Sequence, residues 1–209
     1  MVVSLLLRRF IGIRRKIYFI NRTSQGRRGV AGTIFVHKIL GHAAREGKSL
    51  AEIKDLADKI VPNIHTIGLA LSGATVPEVG KPGFVLAEDE IEYGIGIHGE
   101  PGYRKESMQP SRQLAEELTG KLLEAFEAKS GERYALLING MGATPLMEQY
   151  VFANDVASIL GDAGLDVVYR KLGNYMTSID MAGLSLTLMK IEDEAWLEAL
   201  ESPVKTIAW

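Results

Sequence analysis

Apolar and polar positions alternate along the chain with two different periods, and the switches between them mark out helices and strands. Val30, Ile34, Val36, Ile39 and Leu40 recur at helical spacing, which predicts a helix over residues 27–46 with Gly47 as its stop. Ser49-Leu50-Ala51-Glu52 has the form of a capping box, in which the serine hydroxyl accepts from a first-turn N–H and the glutamate reaches back. The helix it opens carries Leu50, Ile53, Leu56, Ala57 and Ile60 on one face and ends before Pro62. Residues 65–71 read as a strand and 72–83 as a loop rich in Gly and Pro. Residues 84–86 are a short apolar stretch. Residues 90–98 alternate, with Ile91, Tyr93, Ile95 and Ile97 on one side, which predicts a strand ending on His98. A second amphipathic helix is predicted over 111–128, from Leu114, Leu118, Leu122, Leu123 and Phe126. A strand follows over 134–138 and a turn over 139–143. Thr144 and Pro145 then read as the N-cap and first position of a helix that runs to about Leu160 and ends near Gly164. Residues 165–169 and 184–191 are the last strands, and Asp193 is placed to cap a short helix through Leu200.

Strands alternating with helices of this length imply an α/β fold, a single domain with a mixed β-sheet flanked by helices. Composition agrees: 209 residues with 46% hydrophobic content suffice for one well-buried core. The formal net charge of -2 gives no general argument for nucleic acid, and no apolar run is long enough to span a bilayer. The absence of cysteine rules out disulfides and thiolate metal sites and fits a reducing, cytoplasmic setting. Charge is unevenly spread, however. The first acidic residue is Glu46, and ten Arg and Lys precede it, from Arg8 to Arg45. Residues 1–25 mix basic pairs with Leu5, Leu6, Leu7, Phe10, Ile11 and Ile13. An acid-free, Arg-rich start also describes a transit peptide, but the expectation here is an atypical basic leader that is not part of the fold, with the domain occupying 26–209.

Three segments could carry chemistry. His98 closes a predicted strand and is followed at once by Gly99-Glu100-Pro101-Gly102. Strand ends present active groups in α/β proteins, the glycines allow close approach, and a neutral imidazole is nucleophilic near pH 7. On position alone a lone histidine there is more often structural. Asn139-Gly140-Met141-Gly142-Ala143-Thr144-Pro145 feeds a helix N-terminus, a generic anion site, but it lacks P-loop and dinucleotide spacing; a tight turn required by packing explains it as well. Residues 174–183 hold an amide, hydroxyls and Asp180 between two strands and read alone as a polar connection. His37, His42 and His65 lack the carboxylate company of a metal motif and read as surface or packing residues.

Together these segments resemble one family, the K subunit of dihydroxyacetone (glycerone) kinase. The matching pieces are Gly26-Arg27-Arg28-Gly29-Val30-Ala31, Thr66-Ile67-Gly68-Leu69-Ala70-Leu71, Gly80-Lys81-Pro82 with Phe84, and residues 92–102. Gly142-Ala143-Thr144-Pro145 and Thr177-Ser178-Ile179-Asp180-Met181 follow in the family's order. The resemblance implies that His98 is both substrate-binding and catalytic, adding through a ring nitrogen to the carbonyl of dihydroxyacetone. It implies no cofactor or metal on this chain. ATP, or ADP with Mg, would sit on a separate L-type nucleotide-binding subunit, served in one branch by a phosphotransferase-type M subunit. It further implies a homodimer. Full K subunits carry a preceding domain that completes the pocket, and residues 1–25 resemble none of it, so the expectation is a partial subunit. A kinase-like coregulator that senses dihydroxyacetone and controls a transcription factor, and an inactive fragment, are the competing readings.

Overall fold

The computed structural model describes Tyr18–Phe19, residues 30–97, residues 101–207 and Trp209. A central sheet is built from β1 (Tyr18–Phe19), β2 (Ile64–Ala70), β5 (Glu90–Tyr93), β6 (Arg104–Ser107), β7 (Arg133–Gly140), β8 (Asp166–Gly173) and β9 (Gly183–Lys190). Its order is β6-β5-β2-β9-β7-β8. β3 (Thr75–Val76) and β4 (Lys81–Pro82) form a separate small hairpin. The helices are α1 (Thr33–Arg45), α2 (Leu50–Ile60), α3 (Ser111–Phe126), α4 (Leu146–Asp162) and α5 (Glu194–Glu201). β9 runs antiparallel between β2 and β7, while β7 and β8 are parallel and joined by α4. The sheet is therefore mixed, as the alternation of periods predicts.

The three middle strands read as continuous apolar runs because both of their faces are covered. Ile64, Ala135, Leu137 and Met189 point to one side and pack with α1, α2 and α5. Ile67, Leu69, Leu136, Ile138, Leu186 and Leu188 point to the other and pack with α3 and α4. Most of the predicted helix faces behave accordingly: Ile53, Ala57 and Ile60 of α2 are buried, as are Leu114, Leu118 and Leu122 of α3, whereas Leu50, in the first turn of α2, is exposed. Ser49 makes the full capping box with Glu52, and Asp193 caps α5 through the N–H of Ala195.

Several boundaries differ from the sequence reading, each for a local reason. α1 begins at Thr33, whose hydroxyl donates to the Val30 carbonyl at 2.7 Å. The strand expected through His98 stops at Tyr93: Gly94 takes φ 76 and donates its N–H to the Gly68 carbonyl. β6 was not foreseen, since Arg104-Lys105-Glu106-Ser107 has no apolar period; it is the polar edge strand that closes this side of the sheet. Thr144 does not cap α4. Pro145 holds that position, and the threonine hydroxyl instead accepts from the Gly183 N–H at 2.9 Å and donates to the Gly183 carbonyl at 2.7 Å. Within the expected leader, Tyr18 and Phe19 pair in parallel with His65 and Thr66 of β2, so those two residues belong to the sheet; the rest of 1–25 lies outside the described residues. Among the described residues no helix is long and apolar enough to cross a membrane.

At the end of the sheet away from the loops discussed below, Glu132 gathers several donors. Lys190 Nζ lies 2.7 Å from its carboxylate, with the Tyr134 hydroxyl at 2.9 Å and the Lys129 N–H at 3.1 Å. The bond to the Lys190 ammonium chiefly holds this carboxyl down to about 2. A depressed native value means stability that is present above the unfolded carboxylate value of 4.5 and lost as pH falls through the native one. Replacing Glu132→Gln should therefore cost on the order of 1 kcal/mol near neutrality. That difference should close as pH drops toward 2, measured by denaturant unfolding across pH. Ser49→Ala should cost about 1 kcal/mol by removing the cap of α2, read as a lower denaturation midpoint with an unchanged slope.

Candidate functional site

Along the α1 face of the sheet the residue types change as the strands run toward one end. At the far end the face is apolar, with Ile64 paired to Met189 and Met189 to Ala135. Two residues on, Thr66 pairs with Thr187, and their hydroxyls bond at 2.8 Å. Two further on, Gly68, Ser185 and Asn139 stand side by side. The backbone of α1 starts above this row: a Cβ on Gly32 would lie 3.1 Å from the Thr66 hydroxyl oxygen and 2.6 Å from Ile64 Cγ2. A Cβ on Gly68 would lie 2.8 Å from Met141 Cε and 3.2 Å from the Leu184 carbonyl oxygen. Apolar packing thus gives way to neutral hydroxyl and amide groups where the loops converge.

Asn139 organises those loops. Its amide nitrogen donates to the Met176 carbonyl at 2.9 Å and to the Ser185 hydroxyl at 3.2 Å. Its amide oxygen accepts from the N–H groups of Tyr175 and Met176 at 2.9 and 2.8 Å. One buried side chain therefore fixes the start of the connection between β8 and β9. Further along, the Ser178 N–H donates to the Met141 carbonyl at 2.8 Å. Ile179 adopts φ 54, and its carbonyl would lie 2.1 Å from a Cβ on Gly142. Asp180 accepts the Thr75 N–H at 2.6 Å, a bond that holds its carboxyl below the usual carboxylate range. Ala70, Ile95, Met141 and Met181 form a small apolar floor beneath this crossing.

The described flanks of the His98 motif meet the other two candidate segments here. The buried Ser178 hydroxyl donates to the carbonyl of Ile97, which joins the 174–183 connection to the segment leading into His98. His98, Gly99 and Glu100 lie outside the described residues. On their far side the Gly102 N–H donates to the Glu92 carboxylate at 2.6 Å, and the Tyr103 N–H to the Tyr93 carbonyl at 2.8 Å. Gly102 has no room for a Cβ, which would fall 2.1 Å from the Tyr93 carbonyl oxygen. The Gly-rich turn at 139–145 resolves in favour of packing. A Cβ on Gly140 would lie 2.2 Å from both the Asn174 side-chain oxygen and the Gln149 side-chain nitrogen, which are themselves bonded at 2.7 Å.

The other histidines stand apart from this crossing. His37 and His42 lie on α1, and His42 Nδ1 is 3.0 Å from the Arg45 guanidinium. His65 is buried with its ring 4.1 Å from that of Phe126. Among the described residues no group of three or more His, Asp or Glu could hold a metal ion. Thr66, Ser185, Thr187 and Gln149 are not among the sequence candidates for chemistry, although Thr66 stands in a family-matching run. A polar residue inside an apolar strand run is the signal that marks the first three.

Comparison with known proteins places this geometry. A family profile described as the Dak1 domain matches residues 18–208, and so begins on the first residue of β1. The chain is 66% identical over 186 residues to the PTS-dependent dihydroxyacetone kinase, dihydroxyacetone-binding subunit DhaK, of Lactococcus lactis; the match covers 89% of this chain and 56% of that protein. It thus spans about half the length of this curated relative. A solved structure of the dihydroxyacetone kinase operon co-activator Dha-DhaQ superposes with a TM-score of 0.83 at 46% identity, covering 91% of this chain and 59% of that one. The dihydroxyacetone kinase of C. freundii in complex with AMP-PNP and Mg2+ superposes with a TM-score of 0.74 at 33% identity, over 88% of this chain and 33% of that one. From the strand order to the loops that converge beside Asn139, this chain belongs to the Dak1 domain family.

Proposed function

We propose that this chain is the dihydroxyacetone-binding part of a dihydroxyacetone kinase, and that His98 holds the ketone covalently for phosphoryl transfer to dihydroxyacetone phosphate. The observation that carries the reading is the bond from the Ser178 hydroxyl to the Ile97 carbonyl. It ties the residue before His98 to a loop that Asn139 clamps onto the sheet. Gly102 is held on the other side by Glu92, so both approaches to the histidine are anchored. Preorganised flanks of this kind are what a nucleophile needs if it is to meet its substrate in one geometry.

The chemistry uses the lone pair of a neutral imidazole nitrogen. That nitrogen bonds to the carbonyl carbon, the C=O π electrons move to oxygen, and the oxygen takes up a proton. The other ring nitrogen gives up its proton, so the resulting hemiaminal is neutral. A polyol without a carbonyl cannot form this bond, which makes the step a filter for ketone over alcohol. The nearby hydroxyl and amide groups are neutral and suit a neutral hydroxyketone better than an anion. The phosphoryl donor, ATP or ADP with Mg, belongs in this reading to a separate L-type subunit, with a phosphotransferase-type M subunit as its supply, all in the cytoplasm.

The similarity to the co-activator, 46% identical with a TM-score of 0.83, favours a second reading in which the same ligand-holding site serves a regulator. Turnover of dihydroxyacetone with an L-type subunit and a phosphate donor separates the two: a regulator binds the ketone and does not pass it on.

With dihydroxyacetone isotopically labelled at its carbonyl carbon, NMR should show the carbonyl resonance replaced by a tetrahedral carbon on the protein. His98→Ala should abolish that signal, and its persistence in the variant would remove His98 from the reaction. Ser178→Ala should retain adduct chemistry but weaken it about 10-fold, the worth of roughly one buried hydrogen bond. An unchanged affinity would show that the anchor at Ile97 is dispensable.

A further inference from the structure

The chain beyond α5 runs back to β8, the edge strand of the sheet. It is fastened where it leaves the helix: the Lys38 ammonium donates to the Ser202 carbonyl, and the Arg45 guanidinium donates to the Pro203 carbonyl at 2.6 Å. Residues 203–207 are exposed. Trp209 then stacks on Tyr169 of β8, with ring centres 6.4 Å apart and planes 19° from parallel. Lys171 follows two residues along the strand, on the same side as Tyr169. Its ammonium lies 4.0 Å from the centre of the Trp209 ring and 5.0 Å from that of Tyr175. One cation thus joins a ring of the tail to a ring at the start of the 174–182 crossing. Lys38 Nζ, 5.1 Å from the Trp209 ring, adds a second cation. Burial holds both lysines below the usual ammonium range, and a cation partly stripped of water gains most from an aromatic face.

Tyr175 is where this contact reaches the site. Its N–H donates to the Asn139 side-chain oxygen at 2.9 Å, beside the same bond from Met176. Its hydroxyl donates to the Leu172 carbonyl at 3.1 Å, and a Cβ on Gly173 would fall 3.1 Å from its ring. Asn139 therefore grips the backbone of Tyr175 while Lys171 and β8 seat its ring. We propose that Trp209 is a positioning residue for the ketone site: it clamps Lys171 against Tyr175 and so steadies the crossing that carries Ser178 to the Ile97 carbonyl. The clamp stands on these contacts, while its effect on the ketone rests on the function proposed above. Because residues 203–207 lie in solvent, the Trp209 ring can leave its seat without unfolding the sheet, so its influence is local.

Amide hydrogen exchange of the full chain, followed by NMR, tests the clamp without the ketone. Trp209→Ala should speed exchange at the Tyr175 and Met176 N–H groups about 10-fold, with the amides of β2 and β9 unchanged. Lys171→Met keeps the stem and removes the charge. It should have the same effect, and the double variant should be no worse than either single one. Trp209→Phe, which keeps an aromatic face, should recover most of the protection. With carbonyl-labelled dihydroxyacetone, Trp209→Ala should also weaken adduct formation about 10-fold. If Trp209→Ala proves unable to fold, Lys171→Met decides by the same two readouts. Unchanged exchange at Tyr175 and Met176, a rise shared equally by β2 and β9, or effects of the two variants that simply add, overturns the clamp. Faster exchange with an unchanged ketone affinity overturns the positioning role. A wild-type chain that forms no adduct removes the function proposed above, and the exchange rates still decide the clamp.

Discussion

Burial of β2, β9 and β7 on both faces is the constraint from which the rest of the structure follows. A strand with helices on each side has no water to satisfy its backbone, so every amide must find a neighbouring strand. β9 meets this requirement by running antiparallel between β2 and β7, with an unbroken register on each side. That insertion obliges the chain leaving β8 to cross to the middle of the sheet, and the connection over 174–182 is the crossing. The candidate site lies along this connection, which Asn139 holds to the sheet.

The means of holding it is economical. Asn139 commits its whole amide to the crossing and to Ser185, and it follows directly on the apolar run Ala135-Leu136-Leu137-Ile138 of β7. The glycines around it answer steric demands: Gly142 lets the Ile179 carbonyl approach, and Gly102 lets the chain pass the Tyr93 carbonyl. Backbone thus comes within reach of backbone, and the Ser178 hydroxyl completes the link to Ile97. The neutral polar row of Thr66, Thr187 and Ser185 beneath it is satisfied internally, so it can be buried without charge.

The two faces of α4 illustrate how one helix can serve different surfaces. Its core side carries Phe152, Val156 and Leu160 against the sheet and α3, while Gln149 braces Thr144 and Asn174 at the site end. Its outer side exposes Leu146, Met147, Tyr150 and Val151, with the acid Glu148 among them. Neither pattern alone needs the other.

Periodicity and capping chemistry in the sequence determined the class of fold, most elements and much of the core. A Leu or Ile at helical spacing, or a Ser-x-x-Glu before it, carries its structural meaning within a few residues. The amphipathic faces of α2 and α3, the capping box at Ser49 and the cap at Asp193 are of this kind. The motif around His98 was legible for a related reason, as a run of contiguous residues matching a known family. What depended on partners far along the chain was not legible. Gly94 ends β5 by bonding to Gly68, β6 forms because an edge was open beside it, and Thr144 turns from α4 to a glycine 39 residues away. The coming together of 94–97, 139–145 and 174–183 is likewise a product of strand order, and strand order is decided only when both faces of the sheet are covered at once.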